Sequence, residues 1–453
     1  MSETTPQSRY ASVLEQAVES ACRSAGAEAA LVLRVEIPAP SLHPLAWLAA
    51  QAEQKRGYWA DRDGEREVAL VGEADEIKGA TAPGITEWAE AINGRLQRAV
   101  GDVRYYGGFR FGPWHETDQA WRPFGAYRFI LPRMEACRSR VGGTTLALNL
   151  VRDAGGKWPE MRDLSWTDGP AQYTPPALPR VLGRRDEPNA AAWTSAVERA
   201  LSLMASGQVS KVVLARRALL ALSGPADPLA LLHGLQQETG RCFQFCGSHG
   251  AGFSFVGASP ELLYRRVGRQ LDSEAVAGTR PRGATESEDQ ALASELMGSP
   301  KEAEEHRLVR ERIVRDLGAL STHVEAEQAP HLLKLGRVQH LHTPIRATLR
   351  PETTDADVLA RLHPTPATAG EPVAAARQWL GENEPFDRGW YAGPVGWVGR
   401  DAAEFAVALR CGLAVQSNLI LFAGAGIVPG SEPEAEAREI ETKLSPFLRL
   451  MKV

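Results

Sequence analysis

Two hydrophobic periods alternate along the chain, and they are clearest beyond residue 189. Trp193, Val197, Leu201 and Met204 recur at helical spacing behind Asn189, a residue type that caps helix N-termini through its side-chain oxygen. The next apolar run, 208–222, is rich in Val and Leu and predicts a strand. Ser299, Pro300 and Glu302 then predict a helix start: an N-cap, a proline at the first helical position and a capping-box glutamate. That helix should run to about Leu317. Ser431 and Glu434 repeat the capping-box spacing ahead of a last helix reaching toward Phe447 and Leu450. Between these helices, 253–256 and 404–410 read as strands. In the second, Glu404, Ala406, Ala408 and Arg410 share one face.

The first 175 residues are less regular. Patches at 30–35 and 67–71 predict short strands. Trp88, Ile92, Leu96 and Ala99 predict a helix over 86–100 with Thr86 as its cap. Gly107 and Gly108 read as a turn, and Tyr58, Trp59 and Trp114 as core packing. Residues 174–189 carry prolines at 175, 176, 179 and 188 and read as a linker. The chain thus divides into an N-terminal region, 1–180, that completes the fold, and a more regular region, 181–453, that carries the candidate chemistry. The fold class is α+β, with helices packed on large sheets.

Composition narrows the function. The 453 residues carry 51 Lys+Arg against 56 Asp+Glu, a formal net charge of -5. A mild acid excess argues against nucleic-acid binding, which needs a basic face. No apolar run approaches the roughly 18–20 residues of a membrane helix, and the first ten residues lack a signal-peptide core. Five cysteines, few and odd in number, predict reduced thiols in a cytoplasmic protein.

The acids are unevenly placed. At about 100° per residue, Glu302 and Glu305 fall within about 40° of Val309, on the face that should be buried, while Glu304 points away. Isolated buried carboxylates are costly, so a metal, a basic partner or protonation must relieve them. Alternatively, Glu302 simply caps its helix. In the last helix Glu436, Glu439 and Lys443 form one stripe. Carboxylates from two helices suit Mg2+; a Glu439–Lys443 surface ion pair is the competing reading. Ahead of that helix, residues 421–430 read as a strand entering a Gly-rich loop whose amides can approach an anion. The loop lacks the Lys-Ser/Thr of a P-loop. Arg410 can grip a carboxylate or form a salt bridge. Lys211 opens an apolar strand and is either a general base or a snorkelling edge residue. Glu261 follows Gly257-Ala258-Ser259-Pro260 and is either a general acid or part of a helix start capped by Ser259.

Ten ordered segments identify a resemblance. They are Lys-Val-Val-Leu-Ala-Arg (211–216), Ala-Ser-Pro-Glu-Leu-Leu (258–263), Ala-Gly-Thr-Arg-Pro-Arg-Gly (277–283), Glu-x-x-Glu-His (302–306) and Val-Gln-His-Leu (338–341). Leu-His-Pro-Thr-Pro-Ala (362–367), Glu-Pro-Phe-Asp-Arg (384–388), Trp-Tyr-Ala-Gly-Pro-Val-Gly (390–396), Ala-Gly-Ala-Gly-Ile-Val (423–428) and Glu-x-x-Glu-x-x-x-Lys (436–443) follow. Over about residues 190–450 the chain resembles the chorismate-utilising enzymes, most closely the isochorismate synthases of menaquinone and siderophore pathways.

The resemblance implies an α/β/α fold with two antiparallel sheets flanked by helices, binding Mg2+ and chorismate. Glu305 and Glu439 would ligate the metal, supported by Glu302 and Glu436. Tyr391, Arg410 and the amides around Gly424 and Gly426 would hold the pyruvyl carboxylate. Lys443 would add positive charge, and His340 would lie beside the ring carboxylate. Lys211 would activate a water for addition at C2, and Glu261 would protonate the departing C4 hydroxyl. Anthranilate synthases usually carry Gln where this chain has Lys211. Aminodeoxychorismate synthases often carry a nucleophilic lysine where it has Ala277. Salicylate synthases are the nearer alternative; they tend to have Thr at the position of Ala367. Thr368 departs from the pattern, and a non-catalytic chorismate-binding relative is a further alternative. Neither a glutaminase subunit nor a stable oligomer is implied.

Overall fold

The computed structural model describes residues 8–24, 30–80, 84–112, 117–159, 166–250, 252–336 and 338–453. Trp114 lies outside these. The described residues form ten α-helices and two twisted sheets of thirteen and ten strands, almost wholly antiparallel. Only Val32–Leu33 and Ala99–Val100 pair in parallel. Each sheet draws strands from both sides of residue 180. Phe243–Ser248 lies between Phe253–Ser259 and the N-terminal strand Arg56–Ala60, and Pro394–Gly399 lies between Ala402–Val407 and Arg104–Phe109. The apolar faces of the sheets and helices bury two cores, one rich in Leu and Val around Leu214, Leu413 and Phe422, the other aromatic around Trp88, Phe129 and Phe405. No described helix is long and apolar enough to cross a membrane, and the five cysteines are unbridged.

Several local expectations hold. Asn189 caps Ala190–Ala205 by accepting from the Ala192 N–H at 3.0 Å, with Trp193, Val197 and Met204 buried. Ser299 caps Pro300–Leu320, one turn longer than expected. Others change. The helix expected from Thr86 starts at Ile85 behind Gly84, whose φ of 30° lies in the left-handed region, and it ends at Leu96. Its stripe Trp88, Ile92 and Leu96 is buried, but Ala99 belongs to the short strand beyond. Gly107 and Gly108 form no turn: they lie inside Arg104–Phe109. A Cβ on Gly107 would stand 1.9 Å from the Arg128 carbonyl oxygen, and one on Gly108 2.7 Å from that of Pro394. The supposed linker contains a strand, Val181–Glu187, paired with Lys211–Leu222. Its prolines flank the strand, and as an edge strand it needs partners on one side only.

The most consequential difference concerns how the sheets join. Phe253–Ser259 belongs to the larger sheet and Leu262–Val267 to the smaller, so Pro260 and Glu261 are the crossover between them. Glu261 begins no helix. A second crossover runs from Ala402–Val407 to Cys411–Val415 through Ala408, Leu409 and Arg410. Arg410, at φ 47°, therefore leaves the alternating face it was expected to share with Glu404. Glu404 instead receives Arg265 Nε at 2.5 Å and Trp59 Nε1 at 3.1 Å. The crossovers bind one another: Ala258 N–H donates to the Arg410 carbonyl and Val407 N–H to the Glu261 carbonyl, both at 3.1 Å.

Candidate active site

The crossovers form one wall of a partly open cleft. The helices Pro300–Leu320 and Pro433–Leu450 contribute acids and bases at its other side. Lys211, Glu261, Glu302, Glu305, His340, Tyr391, Arg410, Glu439 and Lys443 are brought together around this space.

Lys211 is fully buried, and its Nζ contacts Glu305 Oε1 at 2.7 Å. The strand Asn418–Ile427 passes alongside, and a Cβ on Gly426 would stand 3.0 Å from both Lys211 Cε and Glu305 Oε1. Glycine therefore makes room for the ion pair. The expected Gly-rich loop is in fact this strand's end. Its amides remain available. Val213 N–H donates to Ala369 and Ala215 N–H to Glu384 Oε1, both away from their strand partners Gly426 and Gly424. Antiparallel alternation then turns the N–H groups of Gly424 and Gly426 outward as well. Lys443 Nζ contacts the Gly424 carbonyl at 2.9 Å on that free edge.

Glu261 is buried, and desolvation, with the nearby Glu274 carboxylate adding to it, raises its pKa to about 8 against the pull of Lys211, Lys443 and Arg410. It holds a proton at neutral pH. The Arg410 guanidinium has no protein hydrogen-bond partner among the described residues, and burial lowers its pKa. Tyr391 is buried with its ring stacked on Phe422, centroids 5.4 Å apart, and a Cβ on Gly424 would stand 2.8 Å from its hydroxyl. Burial, reinforced by Arg410, lowers the pKa of His340 to about 3. Its Nδ1 lies 3.1 Å from both the Thr279 hydroxyl, which can donate or accept, and the Gly278 carbonyl, which can only accept, so Nδ1 carries the proton. Nε2 is then a buried lone pair without a protein partner, suited to a hydroxyl or water donor. Contact with a substrate carboxylate would need the other tautomer.

The four glutamates each face a cation. Glu302 meets Arg280 at 2.9 Å, Glu305 meets Lys211, Glu436 meets Lys301 at 3.2 Å and Glu439 meets Lys443 at 2.6 Å. Glu302 does not complete a capping box, and the last helix has no side-chain cap at Glu432. The Glu439–Lys443 surface pair is thus present, but on the cleft. Among the described residues no three acids, histidines or cysteines form a ready metal cage. The set nevertheless fits a hard cation. Burial raises the pKa of Glu302, and Glu305 raises it further. Burial likewise raises Glu436, and Glu439 adds to it. A divalent ion would relieve this repulsion.

Residues without an assigned role complete the frame. Glu384 and Arg388 form a buried pair, and Arg388 also donates to the carbonyls of Val213 and Thr368. This ties the Lys211 strand to the segment bearing Ala367. The Thr368 hydroxyl donates to the Thr365 carbonyl at 3.2 Å. Glu274, Arg62, Arg280 and Lys301 were also passed over. The acid-rich helix starts hinted at basic partners but not at which residues would supply them.

Comparison with known proteins gives the family and the fold. Residues 16–452 match the model of a family described as chorismate binding enzyme. The isochorismate synthase MenF of Bacillus subtilis is 33% identical over 433 residues, covering 90% of this chain and 91% of that protein. The salicylate biosynthesis isochorismate synthase of Pseudomonas aeruginosa is 36% identical, covering 76% of this chain and 73% of that protein. The solved menaquinone-specific isochorismate synthase MenF of Escherichia coli superposes with a TM-score of 0.82 at 29% identity, over 96% of this chain and 99% of that one. Fold, matched length and relatives converge, and the chain belongs to the chorismate-binding enzymes.

Proposed function

We propose that this enzyme is an Mg2+-dependent isochorismate synthase. The observation that carries the reading is the pairing of a fully buried lysine with a proton-holding glutamate at one cleft. Arg410 and the outward amides of Gly424 and Gly426 bind the pyruvyl carboxylate, with Tyr391 beside them. Glu305 and Glu439 would hold the metal, with Glu302 and Glu436 beside them; when bound, it supplies positive charge for the ring carboxylate. Lys211, acting in its uncharged form, takes a proton from water as the oxygen adds at C2. The ring double bonds shift, and the C4 hydroxyl departs as water with the Glu261 proton. One water enters and one leaves, so substrate and product are isomers.

Ala367 and the internally bonded Thr368 hydroxyl support release of isochorismate rather than elimination to salicylate. A solved structure named for menaquinone and a relative named for salicylate biosynthesis both match, so the reaction is proposed here and not a pathway. The test is chromatographic product analysis of chorismate incubated with the protein, with and without Mg2+. Isochorismate is expected. Salicylate with stoichiometric pyruvate would move the enzyme to the lyase class, and unchanged chorismate would favour a non-catalytic binder.

A further inference from the structure

Glu261 sits on a two-residue crossover, and its backbone is held unusually completely. Beside it, buried and outside the residues that line the cleft, lies Glu274 of the strand Gln270–Pro281. Glu274 is buried and accepts both Arg62 terminal nitrogens at 2.6 Å, His342 Nε2 at 2.9 Å and the Leu262 N–H at 2.9 Å. Arg62 Nη1 also donates to the Pro260 carbonyl at 2.9 Å. The two peptide groups flanking Glu261 are therefore both clamped by one ion pair, the first through Pro260 O and the second through Leu262 N.

Arg62 comes from the N-terminal region, 198 positions before Pro260. It lies in the turn joining Arg56–Ala60 to Arg66–Val71, and the Asp61 carboxylate locks that turn by accepting the N–H groups of Asp63, Glu65 and Arg66. The Arg62 guanidinium lies 5.5 Å from the centre of the Phe243 ring. A rigid hairpin thus delivers it.

We infer that Arg62 and Glu274 are positioning residues for the reaction: an N-terminal arginine and a strand glutamate together fix how Glu261 is presented to the cleft. The inference rests on the reading of Glu261 as the acid. Charge supports it. Lys211, Lys443 and Arg410 favour the ionised form of Glu261, whereas Glu274 opposes them. Burial pushes Glu274 up, but His342 and Arg62 outweigh it and bring its pKa to about 2, so it stays ionised throughout the working range.

The test uses the full-length protein as wild type, Glu261→Gln and Glu274→Gln, following the pH dependence of chorismate turnover with Mg2+. Glu274→Gln removes the negative charge beside the acid while Arg62 keeps its positive one. The alkaline limb of kcat/KM is expected to move down by about one pH unit or more. A 13C titration of the Glu261 carboxyl in ligand-free protein should show the same displacement without turnover. An unmoved titration overturns the inference. Should Glu274→Gln fail to fold, Arg62→Lys serves. It keeps the charge but loses the two-pronged bridge, and about tenfold loss of kcat with little change in KM is expected. Wild-type kcat in that variant overturns the inference. Persisting turnover in Glu261→Gln would show that Glu261 is not the acid, and would remove both readings. A lost turnover there with an unmoved Glu274→Gln titration would remove the brace alone.

Discussion

Lys211 and Glu261 carry opposite halves of one proton inventory, and each supports a distinct expectation. Lys211→Ala should lose about 10²–10⁴ in kcat while retaining chorismate affinity by calorimetry, because it removes the base and leaves Arg410 and the strand-edge amides in place. Isochorismate formation at wild-type rate would exclude Lys211 as the base. Glu261 has its pKa raised from 4.5 to about 8, so it binds a proton in the fold that the unfolded chain releases. Its contribution is present below about pH 4.5 and is lost as pH rises toward 8. Two measurements follow: kcat/KM should fall above about pH 8, and Glu261→Gln should gain Tm relative to wild type between pH 5 and 8. Glu305→Gln or Glu439→Gln should weaken Mg2+ binding, by calorimetry, by at least about 10–100-fold with the fold retained. The sequence made these residues legible because helix periodicity and motif order select the same positions. It did not make legible the pairing of Glu302 with Arg280 or of Glu436 with Lys301, since such pairs join segments over twenty to more than a hundred positions apart. The tautomer of His340 was likewise invisible, being set by the Gly278 carbonyl with the Thr279 hydroxyl beside it.

At the scale of elements, two glycines show why a strand end resembled a loop. Gly424 and Gly426 are spaced by two, so both project toward the cleft, where Tyr391, Lys211 and Glu305 occupy the room a side chain would take. The glycines read as a loop that lets amides approach an anion, whereas here they also make room for crowding side chains. Gly426→Ala should therefore disturb the Lys211–Glu305 contact and lower turnover more than it lowers Tm, measured side by side. The helices were easier to read because their signals are local. Asn189 and Ser299 each cap the helix that follows, and Asn189→Ala should cost about 1 kcal/mol in urea unfolding with no change in KM. Caps failed as signals where a better local solution existed: Gly84 in place of Thr86, and a proline-led start after Glu432 in place of Ser431.

For the whole molecule, the boundary near residue 180 marks a change in pattern, not a line along which the sheets separate. The strand Arg56–Ala60 lies between Phe243–Ser248 and Arg66–Val71, and Arg104–Phe109 pairs with Pro394–Gly399. A chain beginning at residue 181 would expose two long unpaired strand edges, and its soluble yield should collapse. The N-terminal region was harder to read because, although several of its strands form local hairpins, Arg56–Ala60 and Arg104–Phe109 also pair with strands roughly 190 to 290 positions away, which no local window holds. The crossovers have a consequence of their own. Pro260 and Glu261 in one, and Ala408 to Arg410 in the other, span between sheets without slack. The separation of acid and guanidinium is thus a property of the scaffold and cannot be adjusted by a moving loop. Such a site is built before its substrate arrives, and new specificity in this architecture must come from exchanging side chains around a fixed frame.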